Sequence, residues 1–308
     1  YYCKPNPRYF ADILERIGKK PSDCVMIGND TEEDGAAAQL GIPVYLLGDF
    51  IIESEGRKAE SFTRLSFEDL KNYVASLPKL NSLLYTIPTF HNPTGITMGE
   101  SRRAELLKWC KKNRLPIIED DAYRELYFDD PPPYPIKSFD DSGNVLYLGT
   151  VSKSLAPGLR IGWVVGPESI IERLGDIKMQ TDYGASSISQ WLMTNLLRNN
   201  LYENHLKNLR VILKSRSQHM IEILEKYFSD LATWNKPDGG FYIWLKLNRP
   251  ISSEKLFSKA LKQNILINPG YIYGFKKNNC IRLSYSYASY EEMEEGLIIL
   301  ASIIRSMI

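Results

Sequence analysis

The chain has 308 residues, 44% of them hydrophobic and 24% charged, with a formal net charge of +1. Those proportions belong to a globular chain with length for two or more domains and a real core. The near-neutral balance gives no electrostatic ground for nucleic acid or a membrane surface as a partner. No apolar run approaches a membrane span, and the N-terminus carries no signal-peptide pattern. Cys3, Cys24, Cys110 and Cys280 lie far apart without a C-x-x-C pair, which argues against zinc and a disulfide framework. They are expected to be reduced thiols of a cytoplasmic protein. The chain opens on Tyr1 rather than methionine, so it is expected to begin inside a longer reading frame.

Residues 9–17 have helical spacing, with Phe10, Ile13, Leu14 and Ile17 on one face. Cys24 to Gly28 is a short buried strand running into the acidic Asn29-Asp-Thr-Glu-Glu-Asp34, an alanine-rich helix ending at Gly41, and a second strand, Ile42 to Leu47. This is a βαβ order, in which ligands sit at the carboxyl ends of strands. Acids there suit magnesium, or simply a helix N-terminus favourable to negative charge. An EF-hand is excluded because its twelfth position is Gly41 and a strand precedes the loop. Lys4-Pro5 and Gly28-Asn-Asp30-x-x-x-Asp34 together resemble the last third of a haloacid-dehalogenase-like (HAD) phosphatase. The resemblance implies a phosphate-steadying Lys4 and a magnesium site at Asp30 and Asp34. The Asp-x-Asp nucleophile of that family is absent from this chain, so the segment is expected to be inactive as a phosphatase.

From about residue 81 the pattern changes. Leu83 to Pro88 is strand-like and leads into the polar turn Thr89-Phe-His-Asn-Pro-Thr-Gly95. A helix follows, with Leu106, Leu107 and Trp109 inside and Arg102, Lys108 and Lys111 outside. Next comes the strand Leu115 to Glu119, with Asp120-Asp-Ala-Tyr123 at its carboxyl end. Alternating strands and helices predict an α/β fold with a mostly parallel, doubly wound sheet. Two further apolar runs with buried-strand character, Val145 to Gly149 and Ile161 to Val165, bracket Thr150-Val-Ser-Lys-Ser-Leu-Ala-Pro-Gly-Leu-Arg160. Pro157 stiffens that loop and Gly158 loosens it. A lysine between buried strands is costly unless its charge is used or paired. The functional reading is a Schiff-base Lys153, with Thr150, Ser152 and Arg160 placed for a phosphate; the plain alternative is a solvated lysine.

Beyond it, residues 189–198 and 203–227 are helical, the second amphipathic with Leu209, Ile212, Leu213, His219, Met220, Ile223 and Leu224 toward the core. Gly239 to Leu247 alternates as a strand after a tight turn. Ile265 to Gly270 opens a loop followed by Tyr271 and Tyr273, Cys280 to Ser286 is a strand holding Arg282, and a helix over 290–306 closes the chain.

Asn92-Pro-Thr-Gly95, Asp120-Asp-Ala-Tyr123 and Ser152-Lys153 with Arg160, in that order, resemble the fold-type I pyridoxal-phosphate (PLP) enzymes, the class I/II aminotransferases. The surrounding wording is most similar to the branch holding the aminotransferase-like domains of MocR/GntR-type regulators and aminoadipate-type aminotransferases. The resemblance implies PLP as cofactor, an amino acid and a 2-oxo acid as substrates, and a homodimer. It implies Lys153 as the catalytic, PLP-bearing lysine and Asp120 against the pyridine nitrogen. Asn92 and Tyr123 would lie on the ring's phenolate oxygen, Thr150, Ser152 and Arg160 on the phosphate, and Arg282, with Asn92, on the substrate. A MocR-type effector domain, binding PLP and an amino acid without turnover, is the alternative; no helix pair for DNA binding is read in this chain. The implied organisation is a HAD-like segment at 1–80, a partial PLP-binding domain at 81–215, and a small aminotransferase domain at 216–308. The family's upstream part, with its glycine-rich phosphate loop and ring-stacking aromatic, is replaced by the HAD-like piece, leaving the pocket open on one side.

Overall fold

The computed structural model describes residues 83–273 and 279–308 throughout, and of the first 82 only 11, 14–15, 20–23, 26–28, 44–46 and 60–61. In that first part, β1 (Met26–Gly28), β2 (Val44–Leu46) and β3 (Glu60–Ser61) pair in parallel in the order β1-β2-β3. β1 and β2 fall within the two strands expected from the sequence, and their parallel pairing agrees with a βαβ unit.

The second sheet has the order β4-β5-β6-β7, from β4 (Leu84–Thr86), β5 (Ile117–Asp120), β6 (Val145–Thr150) and β7 (Gly162–Val165). The first two pairings are parallel and the last is antiparallel, so the sheet is mixed. Leu84, Ile117 and Val145 point to one face, where they bury Leu106, Leu107 and Cys110 of helix α1 (Glu100–Lys112). Glu100 in the first turn of α1 and Lys111 and Lys112 in its last both complement the helix dipole.

Arg103 departs from the expected amphipathic split, for it is wholly buried. Its guanidinium donates to the carbonyls of Met98 (2.8 Å), Pro88 (3.0 Å) and Tyr134 (3.3 Å) and to the Thr89 hydroxyl (3.0 Å). Buried Glu119 lies 3.8 Å away and accepts the backbone N–H groups of Ile136 and Lys137, each at 2.8 Å. Arg103 thereby ties the β4 loop to α1, and Glu119 ties β5 to the turn at 136–139.

β7 departs from expectation too. Trp163, Val164 and Val165 are 40–46% exposed, so this strand is apolar but uncovered. Helix α2 (Glu168–Thr181) follows and buries none of its residues. α3 (Ser187–Arg198) buries only Met193. The 27-residue α4 (Leu201–Tyr227) then runs into the third sheet, burying Leu206, Leu213, Met220, Ile223 and Leu224, while Ile212 faces solvent.

The third sheet, order β10-β11-β9-β8, is antiparallel and contains β8 (Ala232–Trp234), β9 (Tyr242–Leu247), β10 (Asn268–Pro269) and β11 (Cys280–Ser284). Ile243, Leu245 and Leu247 alternate inward onto the main core, shared with α4, α5 (Ser253–Leu261) and α6 (Tyr290–Arg305). Each fully buried side chain of that size contributes about 1.5–3 kcal/mol. α6 starts with a capping box in which Ser289 and Glu292 satisfy each other's backbone N–H groups. The outward positions of β9 and β11, Tyr242, Trp244, Lys246, Cys280 and Arg282, face the β4 loop.

Candidate active site

Parallel pairing of β5 with β6 brings the chemistry of two loops to one sheet edge. Asp120 ends β5, paired with Leu148, and Thr150 ends β6 three residues before Lys153. Lys153 itself is exposed, but its loop is anchored on both sides. Val151 is fully buried and its carbonyl accepts N–H groups from Leu155 (2.9 Å) and Ala156 (3.2 Å). Ser154 is also buried. Its hydroxyl lies 2.7 Å from that of Tyr202, and its carbonyl lies 3.0 Å from Nε2 of His205, both on α4. Between these anchors the Lys153 amine stands 6.0 Å from the ring centre of Tyr123.

Both carboxylate oxygens of Asp120 are engaged. Oδ1 accepts the N–H of Ala122 at 3.1 Å, and Oδ2 accepts the Tyr85 hydroxyl at 2.5 Å. Burial and the adjacent Asp120 charge push the Tyr85 hydroxyl well above the usual phenol range. Tyr123 is likewise raised, by burial and then by its neighbour Tyr242, whose ring meets it edge-on at 6.0 Å. Both phenols therefore stay protonated and able to donate at any ordinary pH.

Arg282 approaches from the third sheet. Its Nη1 donates to Oδ1 of Asn92 at 2.7 Å, and its guanidinium lies 4.2 Å from the ring centre of Tyr242 and 5.0 Å from that of Tyr273. Its Nε is buried with no hydrogen-bond partner among the described residues. A buried donor in that condition is costly unless a ligand or ordered water accepts from it. The Asn92 loop is held by close backbone approach: Gly95 has φ +69°, and a Cβ there would sit 2.7 Å from the Tyr242 carbonyl.

Asn92, Asp120, Tyr123, Lys153 and Arg282 are thus linked through Tyr242 and the two strand ends. Thr150 and Ser152 adjoin one another, their hydroxyls 2.9 Å apart. Arg160, at φ 54°, instead turns its guanidinium onto the Pro157 carbonyl at 3.1 Å, within its own loop. Lys4, Asp30 and Asp34 lie outside the described residues. Among the described residues no cluster of His, Cys, Asp and Glu could hold a metal ion, and no helix is long and apolar enough to cross a membrane. Asp121 pairs with Arg124 at 3.4 Å and His91 with the Thr94 hydroxyl at 2.8 Å, both local contacts. Sequence reasoning missed Tyr85 and Tyr242. Strand alternation with parallel pairing, which sets Tyr85 opposite Ile118 on the Asp120 face, is the signal for the first.

A family model described as aminotransferase class I and II matches residues 43–299, and one described as HAD-hydrolase-like matches residues 1–47. The first match starts upstream of residue 80, where the division between the two resemblances is expected from the residues. The chain is 53% identical over 215 residues to the HTH-type transcriptional regulator YisV of Bacillus subtilis, covering 70% of this chain and 44% of that protein. It is 42% identical over 218 residues to the HTH-type transcriptional regulator NorG of Staphylococcus aureus, covering 70% and 49%. The chain spans about half the length of such relatives. Among solved structures it resembles a kynurenine aminotransferase of Pyrococcus horikoshii, with TM-score 0.78, 31% identity and coverage of 98% of this chain and 74% of that one. It also resembles LysN, the alpha-aminoadipate aminotransferase of Thermus thermophilus, with TM-score 0.75, 25% identity and coverage of 100% and 83%. The fold is that of the fold-type I aminotransferases. The motif order, the mixed sheet and these matches together establish that the chain belongs to the class I and II aminotransferase family.

Proposed function

We propose that the chain is the PLP-binding part of an aminotransferase-type protein, moving an amino group between an amino acid and a 2-oxo acid at Lys153. The observation that carries this reading is the Lys153 amine 6.0 Å from the Tyr123 ring centre, in the loop after the strand paired with the one that ends at Asp120, with Arg282 bound to Asn92. The residues fit PLP. An exposed amine, a carboxylate at the sheet edge, two neighbouring hydroxyls and a buried guanidinium Nε without an acceptor among the described residues form a set suited to a phosphorylated pyridine and a carboxylate. PLP, when bound, draws electrons away from the substrate's α-carbon.

This chain's residues would do the rest. Asp120 keeps a proton on the pyridine nitrogen, and the raised Tyr123 hydroxyl donates to the ring oxygen. Asn92 accepts from Arg282 through Oδ1, which leaves its Nδ2 to donate. Thr150 and Ser152 would hold the phosphate, and Arg160 would join them by exchanging the Pro157 carbonyl for it. Arg282 orients the α-carboxylate, its planar fork matched to that group. Lys153 takes the proton from the α-carbon as general base. Adding PLP to the full chain should produce a visible absorbance band that is lost in Lys153→Ala; a parent protein that stays colourless rejects the reading.

The identity to HTH-type regulators favours a second reading, in which the same site senses PLP and an amino acid as an effector domain. A transamination assay separates the two, since binding without keto-acid product supports the regulator. We further infer a cytoplasmic protein with an amino acid as ligand, forming a homodimer. Its proposed organisation is a HAD-like segment at 1–80, a PLP-binding domain at 81–215 and a small domain at 216–308. Residues 1–80, with Lys4, Asp30 and Asp34 as magnesium and phosphate groups, should leave p-nitrophenyl phosphate unhydrolysed for want of a nucleophile.

A further inference from the structure

A cavity of about 750 Å³ opens between the β4 loop and the outward face of β9. Its position follows from strand alternation. Tyr242 lies at the Tyr123 and Lys153 end of β9, Trp244 pairs with Arg282 across the sheet, and Lys246 pairs with Cys280 beyond it. Trp244 and Lys246 line the cavity, whereas Tyr242 and Arg282 do not. At about 3.4 Å per residue, Lys246 stands roughly 13 Å along the strand from Tyr242. The cavity is therefore on the far side of Arg282 from Lys153. An amino acid gripped by Arg282 and presenting its amine to Lys153 leaves this space unfilled.

The lining selects a chemistry. Trp244, Met98 and Ile87 supply flat and flexible apolar walls, and Thr86, Thr94, Thr233 and Asn235 add neutral polar groups. None of the described residues lining the cavity is acidic. Lys246 stands exposed at the rim and forms no ion pair among the described residues. His91, the other titratable base in the wall, is held down to about 4 by burial and stays uncharged at neutral pH. One cation beside an otherwise uncharged slot with a flat indole wall matches one negative charge on a flat body, and matches a dianionic phosphate or dicarboxylate less well.

We propose that this cavity is a second ligand site, separate from the Lys153 centre, that binds a planar aromatic monocarboxylate with its ring against Trp244 and its carboxylate on Lys246. The proposal does not depend on PLP binding and is tested without it. Calorimetric titration of the full chain with 2-naphthoate should give saturable, one-site binding. Lys246→Met should weaken naphthoate by about fivefold, the worth of a solvent-accessible ion pair, and leave the neutral 2-naphthamide unchanged. Thr233→Trp, which fills the rim beside Lys246, should weaken both probes. Arg282→Lys should alter neither. Absence of saturable binding in a chain that unfolds cooperatively overturns the proposal. So does naphthoate affinity that survives Lys246→Met, or affinity lost in Arg282→Lys instead, which would assign the ligand to the Lys153 side.

Discussion

Arg103 shows how far one side chain can depart from its apparent place. On a helical wheel it stands beside Arg102, and a charged residue on a surface helix is ordinarily solvated. In the structure, four acceptors from three chain segments surround it, and Glu119 completes the set. Burial lowers the guanidinium's proton affinity and raises that of Glu119, with the Ile136 and Lys137 amides offsetting part of the latter shift. Removing one partner leaves the others buried and unsatisfied, so Arg103→Met is expected to cost about 3–5 kcal/mol in urea unfolding. His91 makes a separate prediction. Its folded value is about 4 against an ordinary 6.5, so between those values the unfolded chain binds the extra proton. Stability from this group is full above pH 6.5 and falls as pH drops toward 4. His91→Gln should flatten the pH dependence of the thermal midpoint across that window.

At the scale of elements, the alternating strands, the long helix and the closing helix were legible because periodicity survives whatever surrounds it. Ile243, Leu245 and Leu247 declare their face by alternation alone. The same spacing could not reveal that β7 would stand uncovered, because exposure depends on what packs against a strand rather than on its composition. Nor could it place Tyr85 on Asp120, which needs the register between two strands. The motif residues of the site were legible as motifs, and the structure brings Asn92, Asp120, Tyr123, Lys153 and Arg282 together, while Arg160 turns aside. The Asn92 loop depends on the absence of a side chain at Gly95. Gly95→Ala meets the Tyr242 carbonyl and a left-handed backbone at once. We expect it to cost about 2 kcal/mol and to reduce PLP absorbance, read from thermal melts and titration of the same sample.

For the whole molecule, the apolar band on β7, α2 and α3 should govern solution behaviour. Trp163, Leu174, Ile177 and Trp191 are exposed along consecutive elements, and an edge strand flanked by hydrocarbon invites association. Replacing Trp163 and Leu174 by Lys should lower the sedimentation-detected fraction of oligomer. It should shift the thermal midpoint little, since neither side chain is buried. PLP in hundredfold excess over its dissociation constant should raise folding stability by about 2.7 kcal/mol, seen as an upward shift of the thermal transition that Lys153→Ala reduces.

Helix α4 joins both halves of the molecule, and its stiffness has a mechanical result. Over 27 residues it extends about 40 Å. Near its start, Tyr202 and His205 hold the hydroxyl and the carbonyl of Ser154, next to Lys153, and Arg210 clasps Glu125. Farther along, Arg216 holds the carbonyls of Tyr285 and Ala288, just past the strand that carries Arg282. A single rod therefore couples the two jaws of the cleft. Any swing of the third sheet relative to the second must either flex this lever or drag Lys153 with it, so under the proposed function hold on the carboxylate and placement of the amine would be set by one motion.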